Sequence, residues 1–328
     1  MSAELMVHGN SGSFDLADRT NNISWETNIE SSQAGKLTFD YVEDEQFIPE
    51  AGDKVEFKFN SVGVFKGRIK DRSRRANKIM QITAYDQAFY LKNQQTYVLP
   101  AMTSSDMFSR LCGDLNNAGG DINFSARDSS SFMLPPEVHD GKTLYSILSD
   151  ALTRTLIGEQ QWYIIKDDFG TLEHVNIESL HTTVVIGDET MATDYDFKGS
   201  ISSDTYNRIR MVRDDPESST REVHIAEDSG NISEWGLIQM EETVSEDQNM
   251  AQIAARGDNL LKAKNRETKE LSIPSIGNLD VSAGCSVAID IAALANEGIG
   301  SNERLLVTDC THNWDGAVHT MDLTLRVI

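Results

Sequence analysis

One pattern occurs twice in this chain and constrains its fold more than anything in its composition. Ala51-Gly52-Asp53-Lys54-Val55-Glu56-Phe57-Lys58-Phe59 is matched by Ala283-Gly284-Cys285-Ser286-Val287-Ala288-Ile289-Asp290-Ile291. Each copy is an Ala-Gly turn followed by apolar residues at alternate positions, the period of a half-buried strand. Upstream, Lys36-Leu37-Thr38-Phe39 parallels Glu270-Leu271-Ser272-Ile273 at nearly equal spacing. Downstream, each copy runs into a predicted hairpin, Phe65 to Tyr85 in the first and Leu306 to Leu325 in the second. Ala-Gly turns and alternation also recur in unrelated β domains, so the inference rests on the shared order of the segments. The reading is an internal duplication, with two copies of one β module in one chain. Three such chains would present six similar modules, and closed cyclic symmetry is the usual way to satisfy such surfaces.

The chain between the copies has a different texture. Thr103-Ser104-Ser105-Asp106 predicts a helix start, with Phe108, Leu111, Cys112 and Leu115 on one face. A second helix carries Leu144, Ile147, Leu148, Ala151 and Leu152, with Gly158 as its expected stop. Trp162 to Lys166 and Leu172 to Ile177 read as a hairpin around Asp167-Asp168-Phe169-Gly170. Beyond Asp194 the chain is β again, interrupted by one helix with Ser245 and Gln248 as its expected capping box. The expected fold is mainly β with an α+β insert. A first tube-like β-barrel or sandwich module spans residues 1–95, the insert 96–190, and a second module 191–328.

Charge narrows the function classes. Twenty-nine Lys and Arg stand against 52 Asp and Glu, a net charge of −23. Duplex DNA and anionic membranes would repel such a surface. No run approaches 18 apolar residues, so no membrane insertion is expected. Met1 to Asn10 has no basic and apolar leader pattern, so no secretory signal is expected. The three cysteines, Cys112, Cys285 and Cys310, include no C-x-x-C pair and fit buried free thiols.

Candidate chemistry is sparse. Asp168-Phe169-Gly170 lacks the loops that accompany a kinase metal motif, so a hairpin turn is the reading. Asp194-x-Asp196-x-Lys198-Gly199 has lysine where a calcium loop needs an oxygen donor. Asp309, Cys310, His312, Asp315 and His319 lie close together but without a zinc-ligand spacing. Acidic runs such as Glu43-Asp44-Glu45 read as solvated loops in a chain with this many acids. No catalytic, cofactor-binding or metal residue is assigned. The local anomaly is basic: Lys66, Arg68, Lys70, Arg72 and Arg74 recur at strand spacing, expected on one face, with Arg75 and Lys78 in the turn. These five are the candidate interface with an acidic neighbour. An exposed strand face kept charged against edge-to-edge aggregation explains the same pattern.

Several of these segments together resemble a family. Phe65-Lys66-Gly67-Arg68-Ile69, then Ala84-Tyr85-Asp86-Gln87-x-x-Tyr90-Leu91-x-Asn93, is similar to the baseplate hub proteins of PBSX-like prophages and R-type bacteriocins. So are Lys142-Thr143-Leu144-Tyr145-x-Ile147, the Asp167–Gly170 turn, Asn207-Arg208-Ile209 and the closing His319-Thr320-Met321-x-Leu323. The resemblance spans nearly the whole chain in matching order. It implies a homotrimer whose paired modules form a pseudo-six-fold ring. Such a hub joins the six-fold tail tube, or its initiator, to the three-fold central spike. It meets other baseplate proteins and the tape measure, and DNA passes through it without specific binding. Three copies carry three times −23, or −69, a wall that would repel passing phosphates. The resemblance further implies assembly in the host cytoplasm and a place in the virion or tail-like particle. Two alternatives stay open: a particle-borne cell-wall hydrolase or peptidoglycan-binding module, and a hub of a related secretion or non-contractile tail machine.

Overall fold

The computed structural model describes residues 2–29, 34–43, 47–188, 190–215, 220–244, 249–316 and 318–327. The chain opens with seven strands. These are β1 (Ala3–Gly9), β2 (Gly12–Asp15), β3 (Thr20–Asn28), β4 (Lys36–Val42), β5 (Lys54–Phe59), β6 (Val62–Arg74) and β7 (Ile79–Tyr85). Alternation explains β4 and β5: Leu37, Phe39, Tyr41, Val55 and Phe57 are all buried, while the residues between them are not.

An α+β segment follows, with β8 (Gln94–Leu99), α1 (Ser104–Asn117), β9 (Phe124–Ala126), β10 (Glu137–Thr143), α2 (Leu144–Glu159), β11 (Tyr163–Asp168) and β12 (Thr171–Asn176). Thr103 caps α1 through its hydroxyl, which accepts from the Asp106 N–H. Helix α2 passes through Gly158 and ends instead at Gln160, whose φ is +57°. Gly158 is needed for space, because a Cβ there would stand 2.3 Å from the Phe132 ring. Phe169 and Gly170 both have positive φ, the signature of the tight turn that joins β11 to β12.

The last third holds β13 (His181–Gly187), β14 (Asp196–Ser200), β15 (Arg208–Asp215), β16 (Thr220–Glu227), α3 (Ser229–Trp235), β17 (Gln239–Thr243) and α4 (Met250–Lys264). It closes with β18 (Thr268–Ile276), β19 (Ser286–Asp290), β20 (Glu303–Asp315) and β21 (Val318–Arg326). The expected capping box at Ser245 and Gln248 lies outside the described residues. The box that starts α4 is Asn249 with Gln252. Strands β15, β16 and β17 form a separate sheet packed against α4, so a second α+β unit interrupts the closing strands. Among the described residues no helix is long and apolar enough to cross a membrane.

The two β regions match strand for strand. In the first, neighbours run β4-β7-β6-β5; in the second, β18-β21-β20-β19. Register matches too: Leu37 pairs with Ala84 as Leu271 pairs with Leu325, and Val55 with Gly67 as Val287 with Leu305. Both long strands carry a bulge at the equivalent place, after Ile69 and after Val307. Gly52 and Gly284 sit at φ +100° and +94°. Each donates its N–H to the long strand of its own copy, to Ile69 O and Val307 O, both at 2.8 Å.

Two barrel or sandwich modules were expected, and the structure joins their strands without closing a barrel among the described residues. Among the described residues the strands join in one open 13-stranded sheet. The reason is β3, which pairs with β4 on one side and with β20 on the other. Trp314 of β20 correspondingly packs in the first core, edge-on to Phe57 at 4.9 Å. The two copies share a seam, and the second core gathers around Leu271, Ile273, Val287, Ile289 and Val307.

Candidate functional site

The five cations of the basic pattern lie on β6, a 13-residue strand bent by two bulges. Directly opposed residues in an antiparallel ladder share a face. Lys66 opposes Glu56 and Arg68 opposes Tyr85, on the face away from buried Ile69. The bulge at Lys70 then shifts the alternation by one residue. Arg72 opposes buried Ile82, and Arg74 opposes buried Met80. The single basic face expected from spacing is therefore split between two faces.

Each of the five has a partner within the chain. Lys66 pairs with Glu56 at 2.7 Å. Arg68 donates to Gly52 O at 3.0 Å and stands 3.7 Å from the Asp121 carboxylate. Lys70 donates to the Tyr90 hydroxyl and lies 4.7 Å from the Phe89 and Tyr90 ring centres. Arg72 donates to Pro49 O at 3.0 Å, and Arg74 pairs with Glu43 at 2.7 Å. Arg75 and Lys78, exposed in the β6–β7 turn, have no side-chain partner among the described residues. Exposed ion pairs contribute only about 0–1 kcal/mol each, so an acidic neighbour could replace these partners at little cost.

Two of the five touch the insert. The Asp167–Gly170 turn lies against β6, with Phe169 closing on Gly63 and the Lys66 stem beside Gly170. Gln87 donates to Gly170 O and accepts from the Asn123 N–H, tying both units together. Beside this contact is a pocket of about 200 Å³ lined by Asp86, Asp167 and Asp168. Burial pushes the Asp86 carboxyl well above its usual range, and Asp167 adds to the rise. Burial likewise raises Asp167 to about 6. Asp167 Oδ1 accepts from the Gly170 N–H, whereas its buried Oδ2 has no partner among the described residues.

Two other polar clusters lie inside the molecule. Ser104 Oγ is 3.2 Å from His174 Nε2, and His174 Nδ1–H donates to Asp128 O. Ser104 is 1% exposed and His174 0%, and Ser130 holds the same hydroxyl at 2.8 Å, so this is a core chain ordering the start of α1. His312 and His319 form the other. His312 Nε2–H donates to Val281 O at 2.8 Å, leaving Nδ1 to accept from His319 Nε2–H at 2.9 Å. Burial lowers His312 to about 4. Of the residues first considered as zinc donors, Asp309 turns instead to Asn28 and Thr308. Among the described residues no three potential ligands converge.

Two α+β units inserted around a duplicated, seam-sharing β sheet define a fold seen in prophage tail proteins. The tail protein of Neisseria meningitidis MC58 superposes with a TM-score of 0.70 at 12% identity, covering 100% of this chain and 97% of that one. The 43 kDa tail protein of prophage MuSo2 from Shewanella oneidensis gives 0.68 at 12% identity, over 99% and 98%. The E. coli c3393 protein, a type VI secretion system component, gives 0.55 at 12%, over 94% and 73%. In sequence, residues 23–326 match the YQBQ-like family model, and the chain belongs to that family. It is 27% identical to the phage-like element PBSX protein XkdQ of Bacillus subtilis (strain 168) across 274 residues, covering 83% of this chain and 80% of that protein.

Proposed function

We propose that this chain is a structural tail hub, acting by assembly and without catalytic turnover. The observation that supports this reading is the duplication: equivalent register, equivalent bulges and equivalent glycine turns give one chain two near-identical β units. Three chains then offer six such units to a six-fold tube while keeping three-fold symmetry for a spike. Residues 1–95 and the strands of 191–328 that join the large sheet, with β13, supply the ring, and the two α+β units project toward other baseplate proteins. The candidate interface of Lys66, Arg68, Lys70, Arg72 and Arg74 meets acidic neighbours on both faces of β6, Lys66 and Arg68 on one and Arg72 and Arg74 on the other, with Arg75 and Lys78 exposed at the turn. Similarity to a PBSX element protein and to prophage tail proteins supports a place in the particle baseplate. The likeness to c3393 supports a second reading, the hub of a related secretion machine.

Light scattering across concentration and salt tests the assembly. A species of three times 36.4 kDa is expected, promoted by salt that screens the −23 charge. A strict monomer under every condition contradicts self-assembly. Clearing of a cell-wall suspension by the purified chain would contradict a purely structural role.

A further inference from the structure

A cleft of about 1040 Å³ opens between the two α+β units, away from β6. Helix α2 lines it with Asp150, Arg154 and Ile157, and α4 lines it with Gln252, Arg256 and Asn259. Its volume lies at the upper end of the roughly 300–1,000 Å³ usual for small-molecule sites. Its rims are strand edges. Residues 137–139 of β10 line one rim, and residues 242–244, from the end of β17, line the other. Successive strand residues point to opposite faces, so an unbroken run of three presents the backbone edge. Strand β10 bonds only to β8, and β17 only to β15. Among the described residues both edges therefore offer unpaired main-chain groups to the cleft.

The side chains at the β10 rim add two further features. Met133 is 56% exposed and Val138 67%, and the cross-strand partner of Val138, Val98, is 70% exposed. Together they make an apolar lip beside a free edge. The charge is local and different from the rest of the molecule. Arg154 pairs with Glu137 and Asp150, and Arg256 grips Glu242 through two nitrogens. Lys142 has no ion pair among the described residues. His139 is 4% exposed, and its Nε2 has no hydrogen-bond partner among the described residues, with Glu137 Oε2 standing 3.6 Å away. Three cations thus match three acids in the lining of a chain that is otherwise strongly acidic.

We propose that this cleft receives an extended segment of a partner protein, added as a strand along the free edge of β10. Apolar side chains of the segment pack beside Val138 and Met133, and a carboxylate meets Lys142. Strand addition uses the main-chain groups for affinity and alternate side chains for choice. The apolar lip beside an unpaired Lys142 selects a segment that is apolar along its length with a carboxylate at one end. The bulge between His139 and Lys142, with Gly141 at φ +60°, ends the straight edge and sets Lys142 beyond it. The surface is independent of the hub assignment.

Fluorescence polarisation with the full chain tests this. The probe is a labelled octapeptide of alternating valine and threonine with glutamate at its C-terminal end. Saturable binding is expected, weakened at least about tenfold when a central valine becomes proline, which cannot complete the ladder. Glutamate-to-lysine replacement in the peptide should weaken binding about fivefold or more, and Lys142→Glu in the protein should remove that preference. Val138→Glu, at an exposed site, should leave the circular-dichroism spectrum intact and cost at least about tenfold in affinity. Hydrogen exchange should slow at residues 137–139 when peptide is present. No saturation at about millimolar peptide, equal binding of the proline peptide, or protection elsewhere would overturn the proposal. So would concentration-dependent protection of residues 137–139 without peptide, which would mark a second copy as the occupant.

Discussion

Asp167→Asn is expected to stabilise this protein near neutral pH and to do nothing in acid. In the folded chain Asp167 Oδ1 holds the Gly170 N–H at 2.6 Å, while Oδ2 is buried without a partner among the described residues. Burial raises its pKa from 3.8 to about 6, and burial raises the neighbouring Asp86 as well. A raised folded pKa means that the ionised form is penalised in the fold. The penalty is fully present above about pH 6 and is relieved as pH falls toward 3.8, where the folded state takes up a proton first. The gap corresponds to about 2–3 kcal/mol once residual solvent contact is allowed for. Asparagine keeps the Oδ1 acceptor, removes the charge and offers an amide donor toward Asp86. At roughly 2–4 °C per kcal/mol for a unit of this size, the melting temperature at pH 7.5 should rise by roughly 5–10 °C. At pH 4 the variant and the parent should melt together. Thermal melts at both pH values are the assay. No rise at pH 7.5, or the same rise at both, refutes the reasoning.

Three further outcomes follow from named contacts. The depressed pKa of His312, about 4, makes its neutral form part of the seam; its contribution to stability should fall by about 3 kcal/mol as pH drops from 6.5 to 4, read in urea titrations as the pH-dependent difference between the parent and His312→Gln. Gly52→Ala meets nothing within 4 Å and should cost about 1–2 kcal/mol for its φ alone, whereas Gly284→Ala drives a Cβ to 2.2 Å from Ile164 and should cost more in the same denaturation assay. Arg75→Glu with Lys78→Glu breaks no ion pair among the described residues, so melting should be unchanged while light scattering shows weakened self-association.

The duplication was legible because its signals are local. The Ala-Gly turns need positive φ, and alternation in β4, β5 and β18 marks one buried face each, while β19 is buried on both faces. The family resemblance was legible from other segments, Phe65–Ile69, Ala84–Asn93 and the closing His319–Leu323 among them, and agrees with the YQBQ-like match. What sequence could not show lies where pattern and geometry part. Lys66 to Arg74 keep a perfect period of two through the bulge at Lys70, and no glycine or proline marks the break. Strand β3, Thr-Asn-Asn-Ile-Ser-Trp-Glu-Thr-Asn, has no clean alternation because Ile23 is its one buried residue and neither face is uniformly apolar, although β4 and β20 flank it. Its role as the seam that fuses two expected modules into one sheet was therefore hidden. The cleft was hidden for a different reason: its rims are backbone edges, and edges carry no side-chain signature.

The central claim is that two equivalent β units per chain build a three-chain ring with six similar positions. Electron-microscopy class averages viewed down the ring axis test it most directly. The account predicts three-fold particles with six near-equivalent inner lobes around an open channel. Rings of another order, or three-fold particles with only three inner lobes, would contradict it.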